Sequence, residues 1–206
     1  MEIECSDEFR IIDEKCGWRA WKESGLENTD TKDVQINYHR IYYKYLQLHD
    51  KYLTEESGIE FNTDEIVQCY LNAIASSSVL NEQCTLTIYK ELATDYNLVL
   101  ATNGLVQTQK KRVSIFLPYT HRIYISEEMG VIKPTKEYFD YILRDLNCSP
   151  VQCLMIGDSI KNDIVGAKES GMDVCFYNPK HKNISDNILC DFEIYSLAEL
   201  KRILQK

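Results

Sequence analysis

The chain has 206 residues, 44% of them hydrophobic, with 32 acidic against 23 basic side chains and a formal net charge of −9. That length suits one medium domain, or a core carrying an insert, and is enough to bury a sizeable core. The acidic balance argues against a nucleic-acid surface, and no stretch reaches the roughly 18 consecutive apolar residues of a spanning helix.

The opening stretch MEIECSDEFR is acidic and lacks an apolar h-region, so no signal peptide is expected there. Eight cysteines without an export signal read as reduced thiols of a cytoplasmic protein. None of them forms a C-x-x-C pair, so zinc is not expected. Cys153 and Cys175 lie in apolar runs and read as packing residues. The four histidines are scattered, and QKKR (109–112) reads as a solvated helix face.

Up to about residue 85 the chain is polar, tyrosine-rich and helical in period. Phe9, Ile12 and Cys16 share one helical face. Tyr38, Ile41, Tyr42, Tyr45 and Leu46 fall at spacings of three and four, the stripe of an amphipathic helix. TDEIVQCYLNAI (63–74) repeats the pattern with Ile66, Val67, Tyr70, Leu71 and Ile74, and Thr63 suits its N-cap. The tyrosines at 38, 42 and 45 suit either stacking on a base or helix core.

After residue 85 short apolar runs alternate with helical ones. TLTIYKELATDY is a helix, NLVLAT a strand, VQTQKKRVSIFL a helix, HRIYIS a strand, and TKEYFDYILRDL a helix. QCLMIGD is a strand, IKNDIVGAKESG a helix closed by Gly171, DVCFYN and DFEIYS are strands, and LAELKRILQ is the last helix. This alternation implies βαβ units, a parallel sheet covered on both faces, and a doubly wound open sheet of α/β class. Ligands of such sheets bind beyond the carboxyl ends of the strands.

Polar groups sit at those ends. The Thr102 hydroxyl, with the backbone N–H groups of Asn103 and Gly104, suits a nest for a phosphate or carboxylate oxygen. The alternative is a strand that ends in a turn-forming Thr-Asn-Gly. Lys133 stands just before Pro134 in a loop leading into a helix. GDSIKND brings Asp158 and Asp163 toward one point, a carboxylate pair suited to a hard cation such as Mg2+. The alternative makes Ser159 an N-cap and Asp163 an acid complementing the helix dipole. Taken together, a metal held by carboxylates, a hydroxyl and an ammonium form a phosphoryl-transfer constellation.

At these residues the sequence resembles the haloacid dehalogenase (HAD) superfamily of hydrolases. LVLATNG is similar to its second motif, the Lys133 of GVIKP to its third, and IGDSIKND to its fourth. TNGLVQTQ, SEEMGVIKPTKEYFDYIL and GDSIKNDIVGAKESGM most resemble the pyrimidine 5′-nucleotidase-like phosphatases. The resemblance implies a Rossmann-like core over 85–206 and a partial α-helical cap over 1–84. It also implies a Mg2+-dependent phosphomonoesterase, acting on small phosphorylated metabolites or nucleotides through an aspartyl-phosphate. Carried over, Thr102 binds phosphoryl oxygens, Lys133 balances charge, and Asn103 and Gly104 add backbone contacts. Asp158 binds Mg2+, and Asp163 assists the metal or positions the lysine.

The first motif of that family, an apolar strand ending in D-x-D-x-T, has no match, and no D-x-D pair occurs in the sequence. EFRIID (8–13) is a faint echo, but Lys15 stands where the acid–base aspartate belongs, and the helical reading of this stretch is stronger. The core is thus expected to lack its first strand, and the chain reads as a truncated or mis-started form of marginal stability. A catalytically inactive protein that binds phosphate, Mg2+ or a protein partner is the alternative. Substrate and oligomeric state are not readable.

Overall fold

The computed structural model describes residues 7–28, 38–58, 63–76, 84–183 and 190–204. The chain divides into two compact units, Met1–Ser77 and Ser78–Lys206.

The first unit is helical: α1 (Asp7–Ser24), α2 (Tyr38–Ser57) and α3 (Thr63–Ser76). α1 packs along α2 through Cys16, Ala20, Tyr52 and Leu53, with Ile12, Tyr45 and Leu48 against them. Tyr45 is therefore part of this small core, edge-on to Trp21 at 6.0 Å and stacked on His49 at 5.9 Å. The side chains of Phe9, Tyr38, Thr63, Ile66, Val67, Tyr70 and Ile74 lie outside the described residues. Among the described residues no helix is long and apolar enough to cross a membrane.

The second unit runs α4 (Thr85–Leu92), β1 (Val99–Thr102), α5 (Val106–Arg112), β2 (Arg122–Ile125), the single turn α6 (Ser126–Met129) and α7 (Lys136–Leu146). It continues with β3 (Leu154–Gly157), a π-helical stretch Ile160–Val165 leading into α8 (Gly166–Glu169), β4 (Asp173–Tyr177), β5 (Phe192–Ile194) and α9 (Leu200–Leu204). All strand pairing is parallel, as the βαβ alternation requires.

Side chains of β4 alternate between two cores, which makes the winding double. Val174 and Phe176 join Tyr138, Phe139, Ile142, Leu143, Ile164 and Ala167 on one face. Cys175 and Tyr177 meet Ile194 and Leu200 on the other, with Leu92 and Ile203 alongside. Burial pushes the Cys175 thiol up to about 12, so it stays protonated and inert at neutral pH. Cys153, at the start of β3, is only partly buried.

Among the described residues the parallel strands fall into two groups, β1–β2 and β3–β4–β5. Among the described residues β1 and β3 each have one strand neighbour, and both are only half-buried along their length. β4, with two neighbours, is buried from Val174 to Tyr177. Among the described residues no strand pairs with the second edge of β1 or of β3. The segment expected as one α-helix after β3 also opens with a wider turn. There the Ser159 carbonyl accepts from the N–H of both Asp163 (2.8 Å) and Ile164 (3.3 Å).

Glycines mark where this packing is tightest. A Cβ on Gly166 would overlap the carbonyl oxygen of Pro134 and the Phe139 ring, whereas one on Gly17, inside α1, finds only ordinary contacts at 3.7 Å and beyond. Gly166→Ala is expected to destabilise the chain by about 1–3 kcal/mol through overpacking. Gly17→Ala is expected to stabilise it by about 0.5–1 kcal/mol by lowering the entropy of the unfolded helix segment. Urea midpoints check both; equal shifts for the two variants would contradict the packing described.

Candidate functional site

The carboxyl ends of β1 and β3 converge on one buried ammonium. Lys133 lies in the loop between α6 and α7 and is 9% exposed. Its Nζ donates to the carbonyl of Ala101 in β1 at 2.9 Å and to Asp163 Oδ1 at 2.7 Å. Asp163, 5% exposed, accepts the backbone N–H of Ser159 on its other oxygen at 3.1 Å. Both of its oxygens are therefore engaged, one on the lysine and one on the turn that carries it.

Local sequence explains how this pair is held. The wide turn after β3 swings Asp163 back over the strand end, and Gly157 leaves room for it, since a Cβ there would overlap the Asp163 side chain. Ser159 caps the turn, accepting from the N–H of Asn162 at 3.1 Å. Asn103, just past β1, clamps the lysine loop from the other sheet. Its Nδ2 donates to the Lys133 carbonyl, and its Oδ1 accepts from the Lys133 N–H, both at 2.9 Å. The sequence reading gave Asn103 a backbone contact to substrate; its side chain does the fastening. Asn103 lies in a loop, next to the positive-φ Gly104, and carries no period, so only the long-range pairing reveals this.

Thr102 ends β1 and is partly buried. Its hydroxyl donates to Gln109 Oε1 at 3.1 Å, with the carbonyl of Asn103 at 3.3 Å as a second acceptor. The N–H of Gly104 donates to the Ser126 hydroxyl at 3.0 Å, and Ser126 is itself buried. Gln109 and Ser126 are thus the partners that hold the β1 loop, and the sequence reading named neither. Tyr138, fully buried behind the site, donates to the carbonyl of Tyr124 at 2.9 Å, and desolvation raises its phenol far above the ordinary value.

Asp158 differs from all of these. It is exposed, follows β3 directly, and lines a cleft of about 430 Å³ with Ser159, Ile160, Phe176, Lys182 and Asn183. Among the described residues no group of three or more His, Cys, Asp or Glu could hold a metal. Mg2+ is commonly held through one or two carboxylates, with water and substrate phosphate completing the shell. Asp158 fits that mode as an unengaged hard oxygen donor, whereas Asp163 is committed to Lys133. Asp13, the faint alternative for an attacking carboxylate, sits within α1, where it pairs with His49 Nε2 at 3.0 Å.

Comparison with known proteins bears on this arrangement. The HAD-hydrolase-like family model matches residues 131–179, the span that holds Lys133, Asp158 and Asp163. The chain is 31% identical over 190 residues to the putative HAD-hydrolase YfnB of Bacillus subtilis, covering 91% of this chain and 74% of that protein. A crystal structure of YfnB bound to magnesium superposes with a TM-score of 0.71 at 28% identity, over 99% of this chain and 86% of the other. The pyrimidine 5′-nucleotidase YjjG of Escherichia coli is 27% identical over 184 residues, 85% of this chain and 79% of its own. The pyrimidine 5′-nucleotidase PynA of Streptococcus pneumoniae is 35% identical over 115 residues, 54% of this chain and 48% of its own.

Buried charge makes the lysine–aspartate pair sensitive to single changes. Lys133→Met leaves a carboxylate buried without its cation and is expected to cost about 3–5 kcal/mol, whereas Lys133→Met combined with Asp163→Leu is expected to recover most of it. A double-mutant cycle on urea midpoints measures this. Additive losses would mean that the two side chains do not interact.

Proposed function

This chain belongs to the HAD hydrolases, and from that premise we propose that it is a Mg2+-dependent phosphomonoesterase acting on small phosphorylated substrates, 5′-nucleotides foremost. The observation that carries the reading is the Lys133–Asp163 pair at the converging ends of β1, which Thr102 closes, and β3, which Asp158 follows. Such strand ends offer a hydroxyl and an ammonium to one small anion, and a carboxylate to a metal ion. The nucleotidase names of two relatives support the substrate class.

Each residue then has a role. Thr102 exchanges its hydrogen bond to Gln109 for one to a phosphoryl oxygen. Lys133 keeps Asp163 as its anchor and turns its remaining N–H toward the same phosphoryl group, lowering the cost of charge that builds there. Asp163 acts through Lys133 as a positioning residue. Asn103 fixes the height of the lysine loop, and Gly104 lets the β1 loop approach closely. Asp158 would hold Mg2+, which when bound supplies Lewis-acid stabilisation of the phosphoryl oxygens.

The attacking carboxylate is not among these residues. The family resemblance places it on an apolar strand, and a pairing of such a strand with β1 and β3 is supported by their having one strand neighbour each among the described residues. We therefore propose that residues 85–206 form a core completed by a further segment carrying an aspartate nucleophile, and that residues 1–84 form part of a helical cap. The reduced thiols suit a cytoplasmic location. A second reading keeps the pocket without the chemistry, a protein that binds phosphate without turnover; it is favoured by the absence of any D-x-D pair.

Calorimetry with inorganic phosphate at saturating Mg2+ is expected to show binding that weakens at least about tenfold in both Asp158→Asn and Thr102→Val, the loss of one charge-assisted contact each. Turnover of a 5′-nucleotide panel by residues 1–206 supplied with the missing strand supports the enzyme. Binding without turnover under those conditions supports the second reading. No phosphate binding by the wild-type chain sinks both.

A further inference from the structure

The residues assigned so far leave the site short of positive charge. Lys133 is matched by Asp163, so even with Mg2+ held at Asp158 the three residues and the ion together carry one net positive charge, short of the two negative charges of a phosphate ester dianion. Lys182 lies in the loop after β4, is exposed, makes no ion pair among the described residues, and lines the same cleft as Asp158.

The loop that presents it is built rather than slack. Asn178, 2% exposed, donates from Nδ2 to the Lys182 carbonyl at 2.9 Å and accepts the Lys182 N–H on Oδ1 at 2.8 Å. Its Nδ2 also donates to Glu193 Oε1 at 2.7 Å, and its backbone N–H donates to the Ile194 carbonyl of β5 at 2.7 Å. The His181 ring stacks on Tyr195 at 4.3 Å. The backbone of Lys182 is therefore fastened to β5, while its side chain reaches the cleft at the ends of β3 and β4.

Position separates this cation from Lys133. Neither Thr102 nor Lys133 lines the cleft, whose other walls are Ile160 and Phe176. At about 430 Å³ the cleft exceeds what one phosphate fills. Asp158 is shared by the proposed site and this cleft.

We propose that Lys182 binds a second anionic group of the substrate, separate from the phosphoryl group handled at Thr102 and Lys133. Within the proposed substrate class, the preferred substrates are then those 5′-nucleotides and related phosphomonoesters that carry a further phosphate or carboxylate. This rests on the phosphomonoesterase reading and sharpens its substrate class.

Calorimetry at saturating Mg2+ tests it with three probes: orthophosphate, pyrophosphate and phosphonoacetate. Lys182→Gln is expected to weaken one or both of the two-charge probes about tenfold while changing orthophosphate less than about twofold, as loss of a single charge-assisted contact predicts. Loss confined to pyrophosphate identifies the second group as a phosphate, and loss confined to phosphonoacetate as a carboxylate. Lys182→Arg is expected to retain the affinity that Gln loses. Equal weakening of all three probes overturns the proposal, because Lys182 would then contact the reacting phosphoryl itself. So does unchanged binding of all three, or a wild-type chain that binds the two-charge probes no better than orthophosphate. A wild-type chain that binds no orthophosphate removes the underlying reading instead. Unchanged urea midpoints for the exposed Lys182 variants separate each result from misfolding.

Discussion

One buried charge organises the second unit. The Lys133 ammonium reaches the Ala101 carbonyl on one sheet and the Asp163 carboxylate that follows the other, at 2.9 and 2.7 Å. Two parallel sheets that share no strand pairing among the described residues are joined there by a salt bridge instead of a ladder. A buried ion pair is a weak source of net stability, because desolvating both charges offsets most of their attraction. It is nevertheless intolerant of change on one side only. That intolerance explains the company it keeps: a glycine at 157 where any side chain would collide with Asp163, and an asparagine at 103 that grips the lysine backbone twice.

Most polar groups around the pair are engaged before any substrate arrives. Thr102 bonds Gln109, Gly104 bonds Ser126, and Asp163 bonds both Lys133 and Ser159. Lys133, held by Asp163, needs little reorganisation when charge develops near it, the condition under which fixed charges are most effective, whereas Thr102 has to exchange Gln109 for the phosphoryl oxygen. Among the described residues Asp158 and Lys182 make no ion pair, and both line one cleft. The site thus separates into a fixed part that sets geometry and an open part that recruits what the chain does not itself contain.

Period and position carried much of this. The strands VLAT, RIYI, LMIG, DVCFY and FEI were legible as short apolar runs between helical stretches, and their parallel pairing followed from the alternation. Thr102, Lys133, Asp158 and Asp163 stood out because polar residues ending such runs fall on one sheet edge. The wide turn at Ile160–Val165 was not legible, because its cause is a side chain folding back onto its own turn. The fastening roles of Asn103, Gln109, Ser126 and Asn178 were also hidden. Each depends on a hydrogen bond whose geometry only the folded chain supplies, and no spacing in the sequence marks it.

The half-burial of β1 and β3 bears on how the charge cluster and the sheet depend on each other. An apolar strand with one neighbour leaves a row of backbone donors and acceptors without partners, and proteins ordinarily shield such edges. Here the shielding at the carboxyl end comes from Lys133, whose Nζ occupies the Ala101 carbonyl, and from Asp163, packed over Gly157. The pair that equips the site for an anion therefore also closes the ends of the two open edges. A strand entering between β1 and β3 would satisfy the rest of those edges along their length. On the proposed reading, the carboxyl end of such a strand would bring the attacking carboxylate to the strand ends that Lys133 joins.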